Sequence, residues 1–197
     1  MATIQTTIKL HERENFNDEE DQKMDKALEL LTIVINSDAF RRSILNFEYD
    51  NKKQFSRNYV DLSTPLSNQE VYELFMSGKE STNGVANNVL DLRWKISAKC
   101  PDSAIGTTFN RQRTETYRCK LEEMSAESFA GHIAHEYCHY LGFTHTKKYI
   151  VSRPYTVPYG IGKIVRDLCG AYVALQQLTS TELDNLTSVG NLVKGLK

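Results

Sequence analysis

The chain between residues 18 and 35 places apolar side chains three or four positions apart, which predicts an amphipathic helix. Its apolar stripe consists of Met24, Ala27, Leu28, Leu31 and Val34. Residues 12–25 carry seven acidic side chains, and acids stabilise the positive N-terminal end of a helix. We therefore interpret this acidic segment as a solvated face leading into the helix rather than as an interaction tail.

Two capping patterns predict shorter helices in the first half of the chain. Ser37 can accept a backbone N–H at the start of a short helix. The buried side chains of that helix would be Phe40, Ile44 and Leu45. Ser67 and Glu70 have the spacing of a capping box, which predicts a helix through about Met76. The polar residues 78–88 that follow are typical of a loop.

Alternation of apolar and polar residues predicts several strands. The clearest strand covers residues 91–99, and its inward side chains would be Leu92, Trp94, Ile96 and Ala98. Residues 3–10 alternate weakly, and residues 59–62 are a short candidate. Residues 105–109 and 114–121 are expected to form two more strands joined by a basic turn.

Three helical segments are predicted in the second half of the chain. Ser125 can cap a helix that runs to about Leu141. Residues 159–178 also have helical periodicity, and their core-facing stripe would be Ile164, Leu168, Tyr172 and Leu175. The residues from 180 to the end could dock as an amphipathic helix. Strands and helices in this order favour an α+β fold.

Residues 135–145 read His-Glu-x-x-His-x-x-Gly-x-x-His. On a helix, His135 and His139 lie about 40° apart around the axis, so both imidazoles project from one face. Two imidazoles so placed can bind one Zn²⁺. Glu136 lies next to that face, where its carboxylate can take a proton from a metal-bound water.

The last part of the motif predicts a third ligand. Gly142 can adopt the left-handed conformation that ends a helix and turns the chain sharply. That turn can bring His145 back towards the two helical imidazoles. Three protein ligands leave a fourth position for water, as in catalytic zinc sites. By resemblance to zincins that take their third ligand from an acidic residue on a downstream helix, Asp167 on the next predicted helix is a weaker alternative.

Histidine is scarce outside this segment of the chain, which supports a metal site within it. Of five histidines in the chain, four lie between residues 132 and 145. His132 precedes His135 by almost one turn, and we expect a supporting or surface role for it rather than a ligand role. Cys138, also inside the motif, is expected to be a packed small residue.

The motif resembles the signature of the metzincin clan of zinc metallopeptidases. The resemblance implies His135, His139 and His145 as zinc ligands and Glu136 as general base. Metzincins carry a methionine turn after the third histidine, but no methionine follows His145 here. The nearest counterpart is residues 155–160. By resemblance, Val157 in that segment would take the methionine's place in the hydrophobic floor, and Tyr159 would match a tyrosine near the metal.

The motif, the Gly-Phe-x-His sequence and Val157–Gly162 together look similar to compact zincin-like proteins of bacteria and phages. This resemblance implies one zincin-like domain over residues 1–197, with a small mixed sheet packed on the active-site helix. Residues 1–142 would hold the sheet and that helix, and residues 143–197 a smaller helical subdomain with the third ligand. A strand near residues 104–108 would offer its edge to an extended substrate.

Composition limits the partners. The 197-residue chain has a net charge of −1, which gives no overall field for nucleic acid or an acidic membrane. It opens without a signal-peptide pattern and has no apolar run of transmembrane length. These features favour a cytoplasmic or virion-associated location. In a reducing compartment the four widely spaced cysteines are expected to be free thiols. The basic residues Lys147, Lys148 and Arg153 fit a solvated loop, although they could attract an acidic substrate segment.

The leading hypothesis is a zinc-dependent metalloendopeptidase that acts on a peptide or protein substrate. Glu136 would be the general base, and Tyr159 would donate a hydrogen bond to the tetrahedral oxyanion. An alternative is a structural subunit of a large assembly, such as a phage neck or tail, that packs against neighbouring subunits and has a structural or vestigial metal site. A zinc hydrolase acting on a non-peptide amide is a third possibility, because the ligands alone do not specify the substrate.

Overall fold

The computed structural model describes residues 5–49, 66–80, 84–101, 104–145 and 153–178. These ranges contain four strands and six α-helices. The strands are β1 (Thr7–Glu14), β2 (Val89–Ser97), β3 (Gly106–Phe109) and β4 (Arg113–Tyr117). The helices are α1 (Asp18–Ile35), α2 (Asp38–Leu45), α3 (Asn68–Ser77), α4 (Arg118–Glu122), α5 (Ala126–Tyr140) and α6 (Val157–Gln176). The fold is therefore α+β, as the sequence predicts.

The four strands form one mixed sheet in the order β1-β2-β4-β3. The strands β1, β2 and β4 run parallel to one another, whereas β3 is antiparallel to β4. β3 is consequently an edge strand, and it lies beside helix α5.

The two faces of the sheet differ in chemistry. Inward side chains of β2, including Trp94, are fully buried, and the Trp94 ring packs edge-on against Phe129 of α5. The outer face carries ion pairs between strands, with Glu14 of β1 contacting both Lys95 of β2 and Arg113 of β4. The core thus lies between the sheet and the helices, which fixes which side of α5 faces β3 and β4.

The capping predictions are confirmed. Helix α1 has the predicted bounds, and its cap is Asn17, which forms a capping box with Glu20. Ser37 caps α2, and the capping box of Ser67 and Glu70 starts α3. These side chains satisfy the backbone N–H groups that a helix start leaves without partners.

Several sequence predictions are wrong in detail. β1 begins at residue 7 rather than 3 and ends at Glu14, so the first three residues of the acidic segment are strand. The strand predicted for residues 114–121 stops at Tyr117, because its partner β2 ends at Ser97, and the chain then forms α4. Ala98 lies beyond β2 and is exposed, as is Leu175 in the last turn of α6.

Two predicted elements, the strand at 59–62 and the helix from residue 180, lie outside the described residues. So do the tips of the predicted 78–88 loop and of the loop that follows His145. Among the described helices, none is long and apolar enough to cross a bilayer.

The expectation of four free thiols is wrong, because Cys100 and Cys119 form a disulfide. The two cysteines follow the neighbouring strands β2 and β4, which end side by side at Ser97 and Tyr117. Their Cα atoms are consequently 5.9 Å apart, within the range that a disulfide spans. This pairing disagrees with the free thiols that a reducing compartment would favour. Cys138 and Cys169 are free and buried.

Candidate metal centre

Helix α5 carries the motif and is held close to helix α6. Ser125 caps α5 by accepting a hydrogen bond from the backbone of Ser128. A Cβ added to Gly162 of α6 would lie 2.9 Å from the Gly131 carbonyl oxygen and 3.1 Å from the Cβ of His135. The two helices therefore touch through backbone beside His135, and this close contact positions the backbone that carries its imidazole.

The chain turns back after α5 as the glycine predicts. Gly142 has a φ of +95°, and the backbone N–H of Phe143 donates to the carbonyl of Cys138. The turn brings His145 to the two helical histidines. The Nε2 atoms of His135 and His145 are 3.1 Å apart.

The three histidines form a group that could hold a metal ion. One nitrogen from each of His135, His139 and His145 lies within 4.8 Å of the other two, and each residue is half-buried. Two ligand nitrogens bound at zinc distances in a tetrahedron are about 3.3 Å apart. The spacing of His135 and His145 is close to this value, and a single ion could lie among the three nitrogens.

The protonation state of the histidines also fits a metal. His139 Nδ1 lies 2.7 Å from the carbonyl oxygen of Phe143. A carbonyl only accepts, so Nδ1 carries the proton and Nε2 keeps its lone pair. Burial lowers the pKa of His139, and burial together with the neighbouring histidines lowers the pKa of His135 well below its usual value. Both imidazoles are therefore neutral at pH 7, as metal binding requires.

Glu136 is almost fully buried beside this group, with 5% of its surface exposed. Its Oε2 accepts a hydrogen bond of 2.6 Å from the Thr108 hydroxyl of edge strand β3. Its Oε1 lies 3.8 Å from Nδ1 of His132. The sequence-predicted carboxylate therefore lies between the ligand helix and the edge strand.

A chain of hydroxyl groups supports this carboxylate. Thr108 and Thr114 share a hydrogen bond of 2.8 Å between their Oγ1 atoms. Thr114 is also bonded to the Tyr140 hydroxyl, which donates to the backbone carbonyl of Arg93. The sequence patterns did not single out these residues. Their only signal was threonine on the inward positions of two short strands that face the predicted helix.

His132 lies outside the metal group and has a supporting position. Its Nε2 is 3.0 Å from the Thr116 hydroxyl, and its ring packs against Trp94 and Phe129. Burial lowers its pKa, so this ring is neutral at pH 7. The expectation that His132 is not part of the ligand group agrees with this placement.

Tyr159 lies directly against the histidine group. Its ring centre is 4.6 Å from that of His135 and 4.8 Å from that of His145. Burial raises the pKa of the Tyr159 phenol, and this effect exceeds the opposing influence of Arg153. Val157, the expected replacement for a floor methionine, is 1% exposed at the start of α6.

Two residues considered for metal binding lie elsewhere. Asp167 is exposed on α6, where it pairs with Lys163 and Arg166. The hypothesis that it supplies the third ligand is therefore wrong for this structure. Cys138 is fully buried, and its Sγ donates to the Ala134 carbonyl, 3.2 Å away, as expected for a packed small residue.

The centre thus combines three convergent imidazoles, a buried carboxylate and a phenol that is protonated at neutral pH. Such a set can bind a divalent metal and transfer a proton beside it. No family model, no curated protein and no solved structure matches the chain.

Proposed function

We propose that this protein is a zinc-dependent metalloendopeptidase, with His135, His139 and His145 as zinc ligands and Glu136 as general base. One observation carries the proposal. Three imidazoles converge beside a buried carboxylate whose orientation is fixed by Thr108. When bound, zinc supplies a Lewis acid that polarises the scissile carbonyl and makes water more acidic.

Glu136 performs the proton transfers in this proposal. The Thr108 hydroxyl donates a hydrogen bond to Oε2 of the carboxylate. Oε1 is beyond hydrogen-bond distance of His132, so this oxygen is the one that accepts the proton from the attacking water. The same oxygen then passes the proton to the leaving amine.

Tyr159 stabilises the transition state. Because burial raises its pKa, the phenol is protonated at neutral pH and can donate a hydrogen bond to the oxygen that becomes negative. Its contact with His135 and His145 places it at the centre. One such donor contributes about 2.7–4 kcal/mol to the transition state in other hydrolases.

The edge strand supports a peptide as substrate. β3 is antiparallel to β4 and lies at the edge of the sheet, next to Glu136 through Thr108. An extended chain that pairs with this edge would bring its backbone carbonyls alongside the centre. This geometry favours a peptide over a small amide.

The Glu136→Gln variant tests the proposal, with Glu123→Gln as the matched control. Glu123 is exposed at the end of α4, outside the centre. We expect Glu136→Gln to bind zinc as tightly as the wild type but to lose roughly 10²–10⁴-fold in kcat on a peptide library. The control should retain wild-type rates. Undiminished cleavage by the Glu136→Gln variant would show that Glu136 is not the base.

A further inference from the structure

Arg153 is a half-buried cation at the centre for which the proposed chemistry has no use. It begins the 3-10 turn just before α6. Its guanidinium carbon lies 4.8 Å from the centre of the Tyr159 ring. Its Nε is buried and has no hydrogen-bond partner in the described part of the chain.

Five of the nine arginines in the described ranges form ion pairs with acids. These are Arg13, Arg93, Arg113, Arg118 and Arg166. Arg153 contacts no carboxylate among the described residues. Its contact with an aromatic face compensates only part of the cost of removing a charge from water.

A guanidinium is charged at every physiological pH, and its planar array of N–H groups matches a carboxylate. Such a pair is short, often bidentate, and stronger than a bond between neutral groups. A half-buried guanidinium that no carboxylate of the described residues neutralises is therefore suited to bind an anionic group of a ligand.

The position of Arg153 limits where that anion lies on a substrate. Tyr159 packs against Arg153 and, with a centroid distance of 4.6 Å, against His135. The guanidinium carbon can therefore be no more than about 9.5 Å from the His135 ring centre. An extended peptide advances about 3.3 Å per residue, so the anion lies within two or three residues of the reacting carbonyl.

We propose that Arg153 binds a substrate carboxylate within three residues of the scissile bond and so makes the enzyme selective for acidic peptides. This inference rests on the proposed function and adds a substrate class to it. The carboxylate belongs either to an Asp or Glu side chain or to the free C-terminus of the peptide. The chemistry recognised is the same in both cases.

The test uses pairs of peptides that differ only in one carboxylate. One series replaces Glu by Gln at each of the three positions on either side of the cleaved bond, and a second compares free with amidated C-termini. The wild type should cleave the acidic member of one pair about 10- to 100-fold more efficiently in kcat/KM. The series in which the preference appears identifies the source of the carboxylate.

Variants then assign the preference to Arg153. Arg153→Gln should abolish it, whereas Arg153→Lys should retain part of it because the charge remains without the planar N–H groups. Arg166→Gln, on the exposed side of α6, is the matched control and should keep the full preference. Equal loss of kcat for both members of each pair in Arg153→Gln would overturn the inference, because it would show a role in transition-state stabilisation instead.

Binding provides a readout that is independent of turnover. The same peptide pairs can be titrated calorimetrically into the Glu136→Gln protein and into the same protein with Arg153→Gln added. The acidic peptide should bind at least about tenfold more tightly than its neutral partner only when Arg153 is present. Equal affinities overturn the inference. If the wild type cleaves no peptide while this difference in affinity persists, the proposed peptidase activity is wrong and the carboxylate site stands.

Discussion

The hydrogen bond between Thr108 and Glu136 is expected to hold the catalytic carboxylate in place, and Thr108→Val removes it with almost no change in side-chain shape. Threonine and valine are both β-branched, so the strand preference of position 108 is kept. Thr107→Val is the matched control, because Thr107 is the exposed neighbour on the same strand.

The structure sets the size of the effect. The bond is 2.6 Å long and ends on a carboxylate that is only 5% exposed, so water cannot readily replace the lost donor. A hydrogen bond to a charged group contributes about 1.5–3 kcal/mol. For a chain of this length, the corresponding fall in Tm is roughly 3–12 °C. Thr107→Val should change the free energy of unfolding by less than about 0.5 kcal/mol.

Urea denaturation with chelator present measures the effect without a contribution from metal. A double-mutant cycle with Glu136→Gln tests its origin, because a bond to a neutral amide contributes only about 0.5–1.5 kcal/mol. The cost of Thr108→Val should therefore fall by about 1 kcal/mol in the Glu136→Gln background. If Thr108→Val destabilises no more than Thr107→Val, the hydroxyl does not hold Glu136.

Three further perturbations test other parts of the account. In thermal unfolding, Gly162→Ala should be about 1–3 kcal/mol less stable than Gly170→Ala. Both variants gain helix propensity, but only Gly162→Ala places a methyl group against α5, so equal stabilities would argue against the close helix contact. Replacing both Cys100 and Cys119 by Ser should lower the unfolding free energy of the oxidised protein by about 3 kcal/mol, given the sequence separation of 19, and a reductant should then have no further effect. Tyr159→Phe should lower kcat by roughly 10²-fold with little change in KM, whereas a rise in KM alone would indicate a role in binding only.

Local sequence patterns were sufficient for the elements that depend on local physics. The bounds of α1, the caps at Ser37 and Ser67, and the turn at Gly142 follow from backbone N–H groups and φ preferences that neighbouring residues satisfy. The same locality explains why eleven residues indicate the histidine group. The two helical histidines lie about one turn apart on the same face, and the third follows within six residues.

Features that depend on contacts between distant segments could not be predicted. Predicting the Cys100–Cys119 disulfide requires knowing that β2 and β4 are adjacent in the sheet. In the sequence β3 lies between these two strands, so their adjacency is not apparent. The support of Glu136 by Thr108 likewise depends on which strand lies at the sheet edge. The apolar periodicity of α6 wrongly predicted a buried Leu175. An apolar stripe on a helix is buried only along the part that another element covers.

The central claim is that His135, His139 and His145 hold one catalytic zinc, and metal content tests it most directly. Native protein purified without chelator, then equilibrated with a slight excess of zinc and dialysed, should contain close to one zinc per chain by elemental mass spectrometry. His139→Ala should lose this metal. His11→Ala should keep it, because His11 pairs with Asp91 on the outer face of the sheet. A folded wild-type protein without bound zinc, or equal zinc in the His139→Ala variant, would contradict the account.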